Sequence, residues 1–180
     1  WVWAMNEGGP SQPMPLVHSG VVYLVHTGNV VQALDGRTGT LIWEHRLGPD
    51  HGGAMRNLAI HQTNLYVTTS DARIKALDAR NGMLVWETRI ADPAKGYQAT
   101  SGPIVINGKI LQGVNGCDRF KEEGCFISAF DTADGRLRWR FNTVARPDEP
   151  GGDTWANQPM MFRAGGDTWV TGTYDPALNL

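Results

Sequence analysis

The residues best suited to chemistry cluster between two cysteines, in the stretch CDRFKEEGC that runs from Cys117 to Cys125. Asp118, Glu122 and Glu123 bring carboxylates, which are hard oxygen ligands of the kind that Ca²⁺ prefers. The cysteines are poorly spaced for zinc, because no CxxC pair and no partner histidine accompany them. They either close a short disulfide ring, worth roughly 2 to 3 kcal/mol in a chain-entropy model, or remain two free buried thiols.

Several other kinds of chemistry find no support in the sequence. The five histidines carry no recognisable partner pattern, and the chain has neither a nucleophile elbow nor a glycine-rich phosphate loop. The 16 lysines and arginines are scattered and the net charge is −2, so no footprint for nucleic acid is present. No apolar run approaches the 18 or so residues of a transmembrane helix, so we expect no such segment in this chain.

The elements that must position these residues follow from an internal repeat. Three segments share the skeleton Ala-x-Asp-x-x-x-Gly-x-x-x-Trp, in which the aspartates are 43 and 53 residues apart. The columns contain Asp35, Asp78 and Asp131, then Gly39, Gly82 and Gly135, then Trp43, Trp86 and Trp139. A four-stranded meander takes roughly 40 to 45 residues, so one repeat corresponds to one propeller blade and the second interval contains an insertion.

Each skeleton predicts a strand, a turn and a second strand. The aspartate can accept hydrogen bonds from backbone amides two residues on, and the glycine four positions later supplies a positive φ. The tryptophan is large enough to dock one blade on its neighbour. The dipeptides NG in GPIVINGKILQG and SG in PLVHSGVVYLV predict two further hairpins.

We therefore predict an all-β fold, an incomplete β-propeller built from about three to four blades of four antiparallel strands. The predicted repeats lie at about 21–47, 64–90 and 108–143, with an insertion at 114–124 and a loop at 144–166. The pentapeptide GGDTW occurs twice, at 151–155 and 165–169, but its spacing of 14 is only about a third of a blade. Neither copy lies in the repeat columns.

Blades with the pattern ALD…TG…W resemble those of the pyrroloquinoline quinone (PQQ) dependent alcohol dehydrogenases, and the resemblance runs over essentially the whole chain. It implies that the chain is an N-terminal portion of an eight-bladed propeller that carries PQQ on its axis beside a metal ion. The same blade is used without a cofactor by outer-membrane assembly scaffolds and by some sensor domains. Function therefore has to come from residues outside the repeat.

The resemblance assigns roles to six residues at the cofactor. Trp169, five residues before Tyr174-Asp175-Pro176, is similar to the tryptophan that forms the floor under the quinone ring. Arg56 in AMRNLAI is similar to an arginine that donates to the quinone oxygens, and a planar guanidinium suits paired oxygens. The remaining cofactor contacts implied by the resemblance are Thr100, to a PQQ carboxylate, Asn115 and Gly116, to the quinone, and Gln12, at the cofactor side.

The metal ligand implied by the resemblance is Asp118, which stands in GVNGCDRF where the family has a glutamate; the ion would be Ca²⁺ or a lanthanide. The chain also departs from the family, because no adjacent cysteines precede Arg56 to roof the quinone. Asp50 and His51 occupy those positions. The roof is then either His51 or a group outside this chain.

The expected function is that of a quinoprotein dehydrogenase that oxidises an alcohol or sugar hydroxyl by hydride transfer to PQQ. The resemblance implies a periplasmic location, which suits a disulfide, and a cytochrome c or quinone as electron acceptor. No residue of this chain is expected to be the catalytic base. The alternatives are a non-catalytic scaffold or sensor and a calcium-stabilised structural propeller. The scaffold or sensor would not need Arg56, Asp118 and Trp169 to converge on one axis, and the structural propeller would keep Asp118 but not a stacking tryptophan.

Overall fold

The computed structural model describes residues 1–4, 12–26, 28–49, 55–117 and 122–180. Twelve strands account for most of the regular structure, and they form three sheets of four strands. The first sheet contains β1 (Leu16–His18), β2 (Val21–His26), β3 (Val30–Asp35) and β4 (Leu41–Arg46). The second contains β5 (Ala59–His61), β6 (Asn64–Thr69), β7 (Arg73–Asp78) and β8 (Leu84–Arg89). The third contains β9 (Ile104–Ile106), β10 (Lys109–Gly113), β11 (Phe126–Asp131) and β12 (Leu137–Asn142).

Each sheet is an antiparallel meander in which neighbours in space are neighbours in sequence. This confirms the predicted all-β architecture of four-stranded blades. The sequence repeats begin at the second strand of each blade, and a strand of three residues precedes them as β1, β5 and β9. Two of these short strands, β5 and β9, contact each other.

The hairpins predicted at the two glycine dipeptides are present. Ser19 and Gly20 join β1 to β2 with φ of 50° and 79°, and Asn107 and Gly108 join β9 to β10 with φ of 47° and 72°. Two successive positive φ values give the turn whose twist matches that of the flanking strands.

The repeat skeleton forms the tight turns that it predicts. The Asp35 carboxylate accepts hydrogen bonds from the backbone N–H groups of Arg37 at 3.0 Å and Thr38 at 2.7 Å. The backbone N–H two residues on also donates to the carboxylate at Asp78 and at Asp131, and the glycine of each skeleton has a φ between 70° and 74°.

The tryptophan of each repeat docks its blade on the next one. The Trp43 indole donates to the carbonyl of Ala79 at 3.0 Å, and the Trp86 indole donates to the carbonyl of Thr132 at 3.2 Å. Each ring lies against the glycine of the following skeleton, so that a Cβ at Gly82 would be 2.6 Å from Trp43 Cε3. The docking role predicted for these two tryptophans is confirmed.

A tryptophan ahead of the first repeat does the same, which the column pattern did not predict. Trp1 donates to the carbonyl of Gly36 at 3.1 Å, and a Cβ at Gly39 would be 2.6 Å from its ring. Trp139, on the outer strand of the third blade, remains 42% exposed. Each docking contact therefore needs a following blade to receive the tryptophan.

The core lies between adjacent blades. One cluster, which includes Tyr23, Trp43 and Leu65, fills the space between the first and second sheets. Another, which includes Tyr66, Ile110 and Phe126, lies between the second and third. Because each sheet is covered on a face by its neighbour, burying these side chains fixes the spacing of the blades.

Residues 143–180 form no strand among the residues that the structure describes. Short 3₁₀ helices occur at Pro93–Lys95, Gly152–Trp155 and Met160–Phe162. No helix in the described ranges is both long and apolar enough to cross a membrane.

The docking contact can be tested at Gly82, with Gly20 as a matched control. Both glycines have positive φ, so alanine costs each about 1 to 2 kcal/mol in backbone strain. A Cβ at Gly20 meets nothing within 4 Å, whereas one at Gly82 meets the Trp43 ring. We expect Gly82→Ala to lower the free energy of unfolding by about 1 to 3 kcal/mol more than Gly20→Ala, measured by denaturant unfolding. Equal losses would contradict a docking role for the glycine.

The pKa of Asp78 predicts how the stability of its turn depends on pH. Hydrogen bonds from the Arg80 side chain, and then from the Arg80 backbone N–H, lower the pKa of Asp78 to about 2. Because the pKa of the folded state is depressed, the turn's contribution to stability is present above the unfolded pKa of about 3.9 and is lost as pH falls toward 2. We expect the carboxyl ¹³C shift of Asp78 to titrate near 2, and nearer the usual value in Arg80→Gln. An unchanged midpoint in the variant would show that the Arg80 side chain is not the cause.

Candidate cofactor site

The residues assigned to the cofactor lie at one edge of the blades. Arg56 precedes β5, Thr100 precedes β9, and Asn115 follows β10. In an antiparallel meander the first strand begins at the edge where the second ends, so these positions share that edge. In the sequence, each of these three residues can therefore be recognised by its position next to a strand end and outside the repeat skeleton.

Arg56 connects two of the other assigned residues. Its Nη1 donates to the backbone carbonyl of Thr100 at 3.4 Å, and its guanidinium carbon lies 5.2 Å from the centroid of the Trp169 ring. This distance is within the range of a cation–π contact. Arg56 is half-buried.

Thr100 and Asn115 bind each other. Asn115 Oδ1 accepts hydrogen bonds from the Thr100 backbone N–H at 3.3 Å and from its hydroxyl at 3.2 Å. The Asn115 amide donates to Gln98 Oε1 at 3.3 Å, and the two backbones also pair as an isolated bridge. Thr100 is only 4% exposed. Its hydroxyl would have to turn away from Asn115 before it could donate to a ligand carboxylate.

Gly116 is needed for a close approach between backbone segments. Its φ is 81°, and a Cβ there would lie 2.2 Å from the carbonyl oxygen of Gly96. This packing by itself requires a glycine, whether or not the residue also contacts the cofactor.

Trp169 is held by the backbone of the segment that precedes it. The Thr168 N–H and hydroxyl donate to the carbonyl of Val114 at 3.1 Å and 3.2 Å. This approach requires glycine at position 113, because a Cβ there would lie 1.7 Å from Thr168 Oγ1. The Thr143 hydroxyl also donates to the carbonyl of Gly166 at 2.7 Å. Trp169 itself is 53% exposed, and the Arg56 guanidinium lies over its ring.

The other copy of the pentapeptide has a different setting. Trp155 ends the 3₁₀ helix Gly152–Trp155 and packs against the core cluster between the second and third blades. The guanidinium of buried Arg163 lies 5.9 Å from its ring centroid. Trp155 therefore packs against the protein interior, whereas Trp169 is half-exposed.

The two cysteines form a disulfide, which settles the alternative of free thiols. Cys117 and Cys125 are both buried, with their Cα atoms 5.4 Å apart. Sequence reasoning missed Asp167, whose Oδ1 accepts a hydrogen bond from the Cys117 N–H at 3.3 Å and lies 3.4 Å from its Sγ. The duplicated GGDTW was the signal that could have drawn attention to it.

One of the acidic residues between the cysteines, Glu123, forms an ion pair. Glu123 pairs with Lys95, and this hydrogen bond is the main cause of the raised pKa of that lysine. Tyr97 lies nearby and donates to the carbonyl of Gly124 at 2.8 Å; burial raises the pKa of its hydroxyl, which stays protonated. Glu122 is exposed.

The predicted metal ligand, Asp118, lies outside the described residues, as do Asp50 and His51. Within the described ranges, the cluster of candidate ligands is formed by Cys117, Cys125 and Asp167. Its sulfurs are joined as a disulfide and offer no thiolate to a metal. The described residues therefore provide no metal cage of their own.

Gln12 is exposed. Two residues later the chain contacts the cluster, where the Met14 N–H donates to the carbonyl of Arg56 at 3.4 Å. The structure thus joins Arg56, Thr100, Asn115 and Trp169 by contacts, with Gly116 next to Asn115 in the chain.

The contacts have a common chemical character. A partly exposed indole ring lies under a guanidinium, and this guanidinium is bonded to Thr100, whose hydroxyl is bonded to the Asn115 amide. A flat ring with several anionic oxygens would find an aromatic surface and the N–H donors of one guanidinium there. The described residues thus fit the ring and the acids of PQQ.

Comparisons of the sequence identify relatives over the whole chain. Residues 4–180 match the PQQ family model "Glucose/ethanol/alcohol dehydrogenase, beta-propeller domain". The chain is 34% identical over 201 residues to quinohemoprotein alcohol dehydrogenase ADH-IIG of Pseudomonas putida, covering 100% of this chain and 27% of that protein. It is 32% identical over 206 residues to quinoprotein alcohol dehydrogenase PedH of Pseudomonas putida, covering 99% of this chain and 34% of that protein. The chain therefore spans about a third or less of the length of these relatives.

Solved structures agree with the sequence comparisons. The structure of ADHIIG from Pseudomonas putida matches with a TM-score of 0.82 and 31% identity over 94% of this chain and 27% of that one. A europium-containing methanol dehydrogenase matches with a TM-score of 0.71 and 26% identity over 82% of this chain and 27% of that one. Because the family model covers nearly the whole sequence, the chain belongs to the family of PQQ β-propeller domains of glucose, ethanol and alcohol dehydrogenases.

Proposed function

We propose that this chain is part of a periplasmic quinoprotein dehydrogenase that oxidises an alcohol or a sugar hydroxyl with PQQ as hydride acceptor. The observation that carries the proposal is the convergence of Arg56, Thr100, Asn115 and Trp169 from three separate parts of the chain. A scaffold or sensor propeller has no need to bring a half-exposed tryptophan and a guanidinium to one edge.

The chain's own residues bind and orient the cofactor. Trp169 provides the plane on which the tricyclic ring rests, and Arg56 donates to oxygens at the edge of that ring. Thr100 and Asn115 form the wall beside them, and rotation of the Thr100 hydroxyl frees a donor for a ligand carboxylate. A preformed plane and fixed donors reduce the entropy that is lost when a rigid ligand binds.

When bound, PQQ accepts the hydride and the metal ion, Ca²⁺ or a lanthanide, acts as a Lewis acid on its quinone oxygen. We assign Asp118 as the metal ligand from this chain. The europium-containing relative supports a site that takes hard cations. The base that removes the hydroxyl proton is assigned to a part of the protein outside these residues.

The disulfide supports the proposed location. Cys117 and Cys125 are paired, and disulfides persist in oxidising compartments such as the bacterial periplasm. Cytochrome c or a quinone is the proposed electron acceptor, because the reduced cofactor has to be reoxidised before another substrate can react.

Reconstitution tests the function directly. We expect the protein at its natural length, loaded with PQQ and either Ca²⁺ or a lanthanide, to show quinone absorbance and to reduce an artificial dye when an alcohol is added. The matched controls omit the cofactor, the metal or the alcohol. If correctly folded protein takes up no PQQ with either ion, the dehydrogenase proposal fails and a scaffold or sensor is favoured.

The two copies of GGDTW provide matched variants for the stacking role. We expect Trp169→Leu to raise the Kd for PQQ by roughly tenfold, because an aromatic contact of about 1.4 kcal/mol is lost. Its thermal midpoint should hardly change, since the ring is half-exposed. Trp155→Leu should lower the thermal midpoint and leave PQQ affinity unchanged, because that ring packs against the core. Equal loss of PQQ affinity in both variants would refute the asymmetry.

A further inference from the structure

Trp169 is placed by its backbone, because much of its ring is in solvent. The ring is 53% exposed and the next residue, Val170, is 61% exposed. A side chain with so little packing around it cannot hold its own orientation by burial. Besides the Arg56 guanidinium over the ring and the Thr171 hydroxyl bonded to the Ser101 carbonyl, the contacts of the preceding residues, which we call the arm (residues 165–169), therefore hold the stacking surface in place.

The arm is attached to the third blade at three successive residues. Gly166 accepts a hydrogen bond from the Thr143 hydroxyl at 2.7 Å, and Thr168 bonds through its N–H to the carbonyl of Val114 at 3.1 Å. Between them, the Asp167 carboxylate accepts from the Cys117 N–H at 3.3 Å. This last bond joins the arm to the disulfide.

The disulfide gives Asp167 a fixed partner. Cys117 follows Gly116 at the end of the β10 side of the blade, and Cys125 immediately precedes β11. The crosslink therefore ties the Cys117 backbone to the neighbouring strand at 5.4 Å between Cα atoms. A hydrogen bond to an immobilised N–H restrains its acceptor more than a bond to a free loop does.

Resting on the proposed stacking role of Trp169, we propose that Asp167 is a positioning residue that couples the Cys117–Cys125 crosslink to the plane on which PQQ lies. The carboxylate acts on the backbone two residues before the ring and makes no contact with the cofactor. Asp153, the same residue in the first copy of GGDTW, is exposed in a 3₁₀ helix and serves as the internal control.

The coupling can be measured without PQQ by hydrogen exchange of the arm. We expect exchange in peptides covering 165–170 to become about tenfold faster in Asp167→Ala, since a hydrogen bond that restrains the segment is lost. Asp167→Asn keeps an oxygen that can accept from Cys117 and should restore most of the protection. Asp153→Ala should change nothing in these peptides.

Removing the crosslink tests the proposed link itself. The paired change Cys117→Ser and Cys125→Ser should also speed exchange of the arm. Combined with Asp167→Ala it should add little, because both changes break the same connection. Additive effects would show that the disulfide and Asp167 act independently, and would overturn the proposal.

Affinity for PQQ, measured by quenching of protein fluorescence in the same variants, provides the second readout. We expect the Kd to rise several-fold in Asp167→Ala and to stay near the parent value in Asp167→Asn and Asp153→Ala. If the parent protein binds no PQQ while the exchange coupling is present, the proposed function fails and the positioning role stands. If the parent binds PQQ and Asp167→Ala leaves both readouts unchanged, the positioning role fails alone.

Discussion

The contact on which the rest of this structure depends is the tryptophan ring laid over a glycine of the next blade. The glycine lacks a Cβ and has a positive φ, which lets the ring come to a distance that any other residue would obstruct. The indole N–H bonds a carbonyl in the same turn, so the contact has both a fixed distance and a fixed direction. Because Arg56 and Thr100 belong to different blades, their 3.4 Å hydrogen bond exists only if the blades are docked to this accuracy.

A second layer of constraints acts at the blade edge, where regular structure ends. There the chain replaces strand pairing with specific contacts, including a Gln98–Asn115 bridge and the arm bonded to Val114. The disulfide belongs to this layer, since it closes the connection between β10 and β11 at the point where the arm is attached. Irregular segments at an edge are suited to ligand binding because a rigid scaffold holds them.

The fold could be predicted from the sequence because its signals are local. An aspartate, a glycine four residues on and a tryptophan four residues further specify one turn between two strands, and three copies reveal the blade. Of the short first strands, β1 and β9 could be placed by their hairpin dipeptides, whereas β5 could not, because three residues carry little periodicity. Trp1 was missed because the repeat was defined by complete aspartate, glycine and tryptophan columns, and Trp1 stands outside them although it docks like Trp43.

The resemblance named residues that lie in contact with one another, but the sequence did not reveal how they bond. The residues beside strand ends could be assigned by resemblance, and Arg56, Thr100, Asn115 and Trp169 do lie together. That Thr100 and Asn115 bond to each other depends on side-chain geometry across 15 residues of chain, which spacing alone does not reveal. Asp167 shows the same limit, since its partner is a backbone N–H 50 residues away.

The duplicated pentapeptide shows why such contacts escape a reading of the sequence. Both copies have the same five residues, yet one forms a 3₁₀ helix that turns its tryptophan toward the core, while the other lies along the edge of a blade and leaves its tryptophan half-exposed. The difference comes from what each copy meets. Thr168 finds a glycine at position 113 that admits it, and Asp167 finds an N–H held by a disulfide. The surroundings therefore determine the role of each tryptophan, and the pentapeptide supplies the groups that those surroundings can bind.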